Sequence, residues 1–275
     1  MSRVWDAVII GGGAAGYFGA ITCASMLEKP SVLILERARK VLQKVKISGG
    51  GRCNVTHDCL DPKEMASRYP RGNKALIGPL HRFGVRETID WFEARGVRLK
   101  IEADGRMFPT TDDSRTIIDC LTDAANEAGV TLRTSSHVER VRCLSRGEYA
   151  EARFEVILRG DERVWTKSVL LATGGARLAS GVELAQNLGH TIAPAIPSLF
   201  TFRIEDPRIA DLQGLSVEHT EVEVAGESLR ASGPLLITHW GMSGPGILKL
   251  SAWGARELYD KSYRFEIVVD WLPGG

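Results

Sequence analysis

The sequence predicts an α/β protein, with a larger domain of parallel strands that carries a β-meander and a smaller strand-rich domain. Its first apolar run, VWDAVII at residues 4–10, leads into the glycine-rich GGGAAG and then a helix-like stretch to about Leu27. A second short apolar run, SVLILE, occupies residues 31–36. Short strand-like runs between about 130 and 167 predict the meander.

The composition is that of a soluble globular protein, with 275 residues, 44% hydrophobic and 25% charged. A formal charge of +1 gives no reason to expect nucleic acid or an anionic membrane as a partner. Asp6 interrupts the first apolar run, and no uncharged apolar run reaches about 18 residues, so neither a signal peptide nor a membrane span is expected. An odd number of scattered cysteines predicts reduced thiols and a cytoplasmic location. They are Cys23, Cys53, Cys59, Cys120 and Cys143.

The first glycine-rich run predicts a dinucleotide-binding loop of Rossmann type. Gly11, Gly13 and Gly16 form G-x-G-x-x-G between a strand and a helix. The first glycine permits the tight turn, the second lets the backbone approach a pyrophosphate, and the third lets helix and strand pack closely. Glu36 lies where an acid binds a ribose hydroxyl, and Arg37 beside it favours a ribose without a phosphate. The pattern does not separate FAD from NAD.

Later segments predict further elements and a domain boundary. Pro194 and Pro197 break the pattern, so we expect domains at 1–193 and 194–275. In the first domain we expect a helix opened by Asp61 and Pro62, a helix at about 85–95, a hairpin turning at Asp104–Gly105 and a helix capped by Ser114. Strands at about 130–134, 138–143, 153–158 and 163–167 follow, and they lead into the run SVLLATGG at 168–175. In the second domain we expect a strand at 217–224, a helix after SGPG and a strand at YRFEIVV.

A second glycine-rich loop, KISGGGRCNVTH, spans residues 46–57. Consecutive backbone amides at Gly49–Gly51, with Arg52 and Lys44, suit an anionic or carbonyl-rich surface. The alternative is a glycine turn with solvated basic side chains.

Several motifs together resemble one family of flavoproteins with two dinucleotide-binding domains. They are ISGGGRCNVTH, ADGRMFP, LLATGG, LGH at 188–190 and THWGMSGPGILKLS. Their order from residue 4 to residue 273 is similar to that of the aminoacetone-oxidase-like, BaiN-type FAD-dependent oxidoreductases. The resemblance implies a Rossmann-like FAD-binding domain with a β-meander and an inserted, strand-rich substrate domain.

The resemblance also implies how the two glycine loops are used. The first would hold the FAD pyrophosphate and the second would pass beside the ribityl chain and the flavin. Gln43, Lys44 and Asn54 match positions that touch FAD, and Val138 matches one whose backbone meets the adenine. Arg52 is the candidate for stabilising negative charge near the flavin. The expected cofactor-binding residues are Gly11, Gly12, Gly13, Ala14, Ala15, Gly16, Glu36, Arg37, Gln43, Lys44, Gly50, Arg52, Asn54, Val138, Thr173 and Gly174.

The expected activity is a two-electron transfer between FAD and a small organic substrate, with NAD(P)H as a possible donor. Oligomeric state, substrate and general base do not follow from the sequence. Two departures from the family pattern are visible. Family members carry a longer glycine-rich stretch between positions 175 and 188, and they continue with a C-terminal segment beyond the WLPGG of this chain. We therefore expect an incomplete substrate domain and weakened FAD binding.

Other interpretations remain open at this stage. Cys53 and Cys59 could form the redox disulfide of a flavin disulfide reductase, although five rather than four residues separate them. With His57 they have cramped metal-ligand spacing, and no metal site is expected. A dinucleotide-binding remnant without turnover is a further alternative. In THWGMSGPG, Ser243 or Gly244 is expected to cap a helix, or this segment contacts substrate, with His239 beside it.

Overall fold

The computed structural model describes residues 3–175 and 179–274, which form two compact units, residues 1–193 and 194–275. Within these described ranges, no helix combines the length and apolarity that crossing a bilayer requires.

The first unit alternates strands and helices before it enters a meander. Its strands are β1 (Val4–Ile10), β2 (Val32–Leu35), β3 (Thr56–His57), β4 (Leu99–Ile101), β5 (Arg106–Pro109), β6 (Thr131–Arg133), β7 (Val138–Cys143), β8 (Phe154–Leu158) and β9 (Arg163–Leu171). Its helices are α1 (Ala14–Ser25), α2 (Gln43–Ile47), α3 (Pro62–Ser67), α4 (Asn73–Arg82), α5 (Val85–Glu93), α6 (Ser114–Glu127) and α7 (Ala179–Asn187).

A six-stranded sheet, ordered β6-β2-β1-β9-β8-β7, forms the centre of this unit. Strands β6, β2, β1 and β9 run parallel, and β8 and β7 continue the sheet as antiparallel strands. Alternate side chains of β1 and β2 enter two different hydrophobic clusters, Ile9 and Ile34 on one face, Val8 and Leu33 on the other. Burial on both faces explains why these strands read as continuous apolar runs.

The first helix approaches the first strand more closely than any side chain would allow. A Cβ on Gly16 would lie 1.9 Å from the carbonyl oxygen of Gly11. Gly11 itself has φ +117, and a Cβ there would lie 2.3 Å from the carbonyl oxygen of Ala172 in the segment after β9. The absence of side chains at Gly11 and Gly16 therefore lets the N-terminus of α1 lie close to the ends of β1 and β9.

The second glycine loop is a tight turn beside a small antiparallel sheet, ordered β3-β5-β4. Gly49, Gly50 and Gly51 have φ values of +56, +69 and +89, a left-handed backbone that glycine adopts with little strain. A Cβ on Gly49 would lie 2.7 Å from the ring of the fully buried Phe108. The turn is therefore packed onto this sheet.

One local prediction needs correction, and one helix was not predicted. The cap of α6 is Asp113, whose carboxylate accepts from the Arg115 amide at 2.8 Å, while the Ser114 hydroxyl donates to the Lys46 carbonyl oxygen at 2.9 Å. The sequence also contained no clear signal for α4, because it has no fully buried residue and carries Pro79 near its end.

The second unit is a five-stranded antiparallel sheet with two helices. The sheet is ordered β10-β13-β12-β11-β14, with β10 (Phe202–Arg203), β11 (Ser216–Val224), β12 (Arg230–Thr238), β13 (Gly241–Ser243) and β14 (Ile267–Asp270). The helices are α8 (Pro245–Trp253) and α9 (Ala255–Asp260). Residue 244, a glycine with φ +103, is the N-cap of α8, and no described side chain caps that helix. His239 is exposed and packs edge-on against Trp240, with ring centroids 4.4 Å apart.

Candidate functional site

A cavity of about 630 Å³ opens where three parallel strands end. The last residues of β1, β2 and β9, namely Ile10, Leu35 and Leu171, all line it. Ligands of open α/β sheets bind at this edge, outside the carboxyl ends of the strands.

The glycine turn after β1 presents free space and backbone donors to this cavity. Gly13 has φ −90, and a Cβ built there meets no protein atom within 4 Å. No described side chain caps α1, so the first-turn amides of Ala14 and Ala15 are available to an anion. Space for a phosphate at Gly13, next to a helix N-terminus, fits the pyrophosphate of a dinucleotide.

Glu36 connects the two loops that border this space. Its Oε2 accepts from the Gly12 amide at 2.7 Å and its Oε1 accepts from the Ala38 amide at 2.8 Å. A carboxylate has about four acceptor positions, so capacity remains for ribose hydroxyls. The sequence predicted a ribose ligand at this position, and the structure adds that Glu36 also holds the glycine turn after β1.

A cation lies at another wall of the cavity. Leu42, buried with φ +56, precedes α2 and donates its amide to the Gly12 carbonyl oxygen at 2.9 Å. The next turn carries Lys44, whose Nζ is 3.1 Å from the position of a Cβ on Gly174. Gly174 has φ +84. In the described part of the chain no carboxylate pairs with Lys44, and its charge faces the cavity.

Most of the predicted cofactor-binding residues lie around this one cavity. Gly16, Gly50, Arg52 and Asn54 do not line it. Those that do are Gly11, Gly12, Gly13, Ala14, Ala15, Glu36, Arg37, Gln43, Lys44, Val138, Thr173 and Gly174.

Arg52, the predicted catalytic cation, is committed elsewhere. Its guanidinium pairs with Glu102, lies 3.4 Å from Asp112 and stacks on the Phe108 ring with its carbon 4.0 Å from the centroid. The hydrogen bond to Glu102 is the main reason that the pKa of Arg52 is raised. These contacts neutralise the guanidinium and hold it on the small sheet, away from the cavity wall.

Asn54 likewise has a structural set of partners. With its amide oriented by its hydrogen bonds, the nitrogen donates to the carbonyl oxygens of Thr56 at 2.8 Å and Met107 at 3.2 Å. Gly50 has open space around its Cβ position but lies outside the cavity lining.

Sequence reasoning missed several residues of the cavity wall. Ser136 and His137 precede the predicted Val138 and line the cavity with it. Lys40 and Leu42 come from the loop after β2, and Leu184 comes from α7. The sequence contains only a weak signal for Ser136 and His137. They lie beside residues 36–38 only because β6 pairs with β2, about 100 positions earlier in the chain.

Cys53 in the second loop and Cys59 just after it are both buried. Cys53 is 6% exposed and belongs to the hydrophobic core, and Cys59 is 4% exposed. Burial raises the pKa of both thiols, and the nearby Glu64 adds to the rise at Cys59. Redox-active thiols need a lowered pKa and access, so this environment contradicts the disulfide-reductase interpretation. Among residues 3–175 and 179–274, no group of three potential metal ligands lies together.

Comparison with known proteins identifies the family. The HI0933-like protein Rossmann domain matches residues 5–251. This chain belongs to that family. This match confirms the family resemblance that the sequence motifs indicated. It also confirms the predicted Rossmann-type α/β fold class. The HI0933-like family is an FAD-binding Rossmann family.

Two curated relatives cover nearly the whole HI0933-like chain. The 3-dehydro-bile acid delta(4,6)-reductase of Clostridium scindens is 28% identical over 96% of the chain and 64% of its own length. The ribosomal RNA dihydrouridine synthase of Escherichia coli is 30% identical over 90% of the chain and 61% of its own length. The chain thus spans less than two thirds of the length of these relatives.

Solved structures support the fold alone. A flavocytochrome c3 fumarate reductase in an open conformation has a TM-score of 0.58 at 18% identity, covering 79% of this chain and 47% of its own. The 3-ketosteroid-delta4-(5alpha)-dehydrogenase of Rhodococcus jostii RHA1 has a TM-score of 0.50 at 13% identity, covering 79% of this chain and 60% of its own.

The contrast between Gly13 and Gly16 yields a first prediction. Gly13→Val should fold normally, because a Cβ at this position meets no protein atom within 4 Å, yet it should abolish FAD retention by filling the phosphate space. Gly16→Val should unfold at lower temperature, because its Cβ would overlap the Gly11 carbonyl. Thermal unfolding and the absorbance of retained flavin measure the two effects. A Gly13→Val protein that retains a full complement of FAD would refute the phosphate site.

Glu36 provides a second prediction. Glu36→Ala should weaken FAD binding by about 1–3 kcal/mol, since it leaves the Gly12 amide and a ribose hydroxyl without an acceptor. Fluorescence titration of the flavin measures the affinity. Glu151→Ala, which removes an exposed carboxylate outside the cavity, is the matched control. Equal affinities in the two variants would contradict the role of Glu36.

The buried thiols provide a third prediction. Since the pKa values of Cys53 and Cys59 are raised, less thiolate is present at a given pH, and alkylation should become appreciable only as pH rises. At neutral pH, iodoacetamide should modify the exposed Cys143 first, as read by peptide mass spectrometry. Rapid modification of Cys53 in the folded protein would show that its thiol is reactive.

Proposed function

We propose that this chain is the cofactor-binding part of a flavin-dependent reductase that adds hydrogen to a carbon–carbon double bond conjugated to a carbonyl group. The observation that carries the flavin part of the proposal is the cavity at the ends of β1, β2 and β9, with open space at Gly13 and an unpaired cation at Lys44. That arrangement suits FAD in an extended conformation along the sheet edge.

The chain's own residues would divide the work of binding FAD. The amides of Ala14 and Ala15 would bind the pyrophosphate, Glu36 would accept from the ribose, and the backbone of Val138 would meet the adenine. Lys44, rather than the neutralised Arg52, would offset negative charge on the cofactor. FAD supplies hydride chemistry when it is bound. Gln43, Thr173 and Gly174 would complete the wall beside Lys44.

The substrate class is inferred from the chemistry that the two relatives' names share. Reduction of a 3-oxo-steroid double bond and conversion of uridine to dihydrouridine both add two hydrogens to an alkene conjugated to a carbonyl. An electron-poor alkene of this kind accepts a hydride at the carbon remote from the carbonyl and then a proton beside it. We therefore infer an unsaturated carbonyl compound as the substrate, with NAD(P)H as the electron donor.

The unit at 194–275 is proposed as a substrate domain. Its β12–β13 turn exposes His239 and Trp240, an aromatic pair that can stack on a flat ring. The N-terminus of α8, without a side-chain cap, follows a few residues later. The aromatic pair suits contact with a planar unsaturated ring, and a helix N-terminus suits the carbonyl oxygen conjugated to it.

A direct assay tests this function and provides a fourth prediction. The FAD-loaded protein is reduced by NADPH without oxygen and then mixed with a 4-ene-3-oxo bile acid or with uridine-containing ribosomal RNA. We expect one substrate to reoxidise the flavin and to gain two hydrogens by mass spectrometry. A Gly13→Val sample is the control, because it should lack flavin. Reduced flavin that neither substrate reoxidises would contradict the proposal.

A further inference from the structure

The cavity at the ends of β1, β2 and β9 is called the dinucleotide cavity below. A second cavity of about 530 Å³ adjoins it. We call this second cavity the arginine cleft, and its polar lining includes Arg37, Arg133, Ser135, His137, Arg159 and Glu162. Arg37 and His137 also line the dinucleotide cavity, so the two spaces meet at the end where Glu36 and Val138 lie. The proposed FAD site does not account for its outer wall, formed by Arg133, Arg159 and Glu162.

Backbone hydrogen bonds fix the shape of this cleft. The Ser135 amide donates to the Ala38 carbonyl oxygen at 3.0 Å, and the Arg159 amide donates to the His137 carbonyl oxygen at 2.9 Å. The Ala38 amide is in turn held by Glu36 at 2.8 Å. The arginine-bearing segments are therefore joined to one another before any ligand arrives, which reduces the entropy lost on binding.

The charges in the arginine cleft do not cancel. Arg133 and Glu162 neutralise each other through two bonds of 2.8 Å. Arg159 has only a 3.5 Å contact with Glu139, and its side chain is 80% exposed. Within the described ranges no carboxylate pairs with Arg37, or with Arg39 and Lys40 on the same loop. The whole chain carries a net charge of only +1, so this positive charge is local.

The donors in the arginine cleft match a phosphate ester. Guanidinium groups present planar pairs of N–H donors that suit phosphate oxygens, and they retain their charge at any physiological pH. Among the described residues the Ser135 hydroxyl has no hydrogen-bond partner, whereas the Ser136 hydroxyl donates to the Thr134 carbonyl oxygen at 3.1 Å. Ser135 can thus add a hydroxyl donor to the guanidinium groups that line the same cleft. A carboxylate ligand would use only part of this set.

We propose that the arginine cleft binds a phosphate ester, separate from the pyrophosphate of FAD, through Arg37, Arg159 and Ser135. The phosphate could belong to an RNA strand or to a phosphorylated nucleotide such as NADPH, because both present the same chemistry. The site goes beyond the proposed reductase function and does not depend on which alkene is reduced. An RNA ligand would also revise the expectation, based on net charge alone, that nucleic acid is not a partner.

Binding to the FAD-saturated protein tests the arginine cleft and is the fifth prediction. With FAD in excess, fluorescein-labelled single-stranded RNA is titrated by anisotropy, and NADPH is titrated by calorimetry. Arg159→Glu should weaken one of these ligands by about tenfold or more. If the ligand is RNA, the plot of log K against log salt concentration should be less steep for Arg159→Glu than for the wild type, by about 1. Arg37→Gln, measured with the same excess of FAD, should weaken the same ligand.

The control is Arg86→Glu, an equal charge reversal at an exposed position of α5 outside the cleft. It should bind both ligands like the wild type. Weaker binding of RNA or of NADPH by Arg159→Glu and Arg37→Gln, but not by Arg86→Glu, supports the site and identifies the source of the phosphate. Equal behaviour of Arg159→Glu and Arg86→Glu, or no wild-type binding of either ligand, overturns it. Flavin absorbance of each sample reports the cofactor site separately, so failure of the two proposals is distinguishable.

Discussion

The Glu36 carboxylate, which accepts from the amides of Gly12 and Ala38, is the interaction on which both cavities depend. One oxygen holds the turn after β1, where a pyrophosphate would lie. The other holds the loop after β2, which carries Arg37 into the arginine cleft. A change that removed this carboxylate would loosen two binding surfaces together. Glu36 therefore acts as a positioning residue even before it contacts a ribose.

Close backbone approach is the constraint that makes this arrangement possible. Gly16 and Gly11 remove the side chains that would separate α1 from β1 and from the segment after β9. The helix can then place its first amides at the end of the sheet, where the glycine at position 13 leaves open space. The three glycines of the motif thus have different roles, since two are needed for packing and one for the ligand.

The two glycine-rich loops have different structural roles. The first borders the dinucleotide cavity directly. The second turns through Gly49–Gly51, packs against Phe108 and holds Arg52 in pairs with Glu102 and Asp112. Lys44, in the short helix before this loop, lines the cavity instead and has no carboxylate partner among the described residues. A basic residue in a glycine-rich motif is therefore not necessarily directed at the ligand.

The sequence by itself determined β1, the glycine turn, α1 and the acid at the end of β2, because these signals are local and periodic. It also determined the family, through motifs that extend over the whole chain. Only the tertiary structure decided which charges are free. Arg52 is neutralised by residues 50 and 60 positions away, while Arg37 and Arg159 meet in one cleft through the pairing of distant segments. Ion pairs and cavities depend on such long-range contacts, which spacing along the chain does not encode.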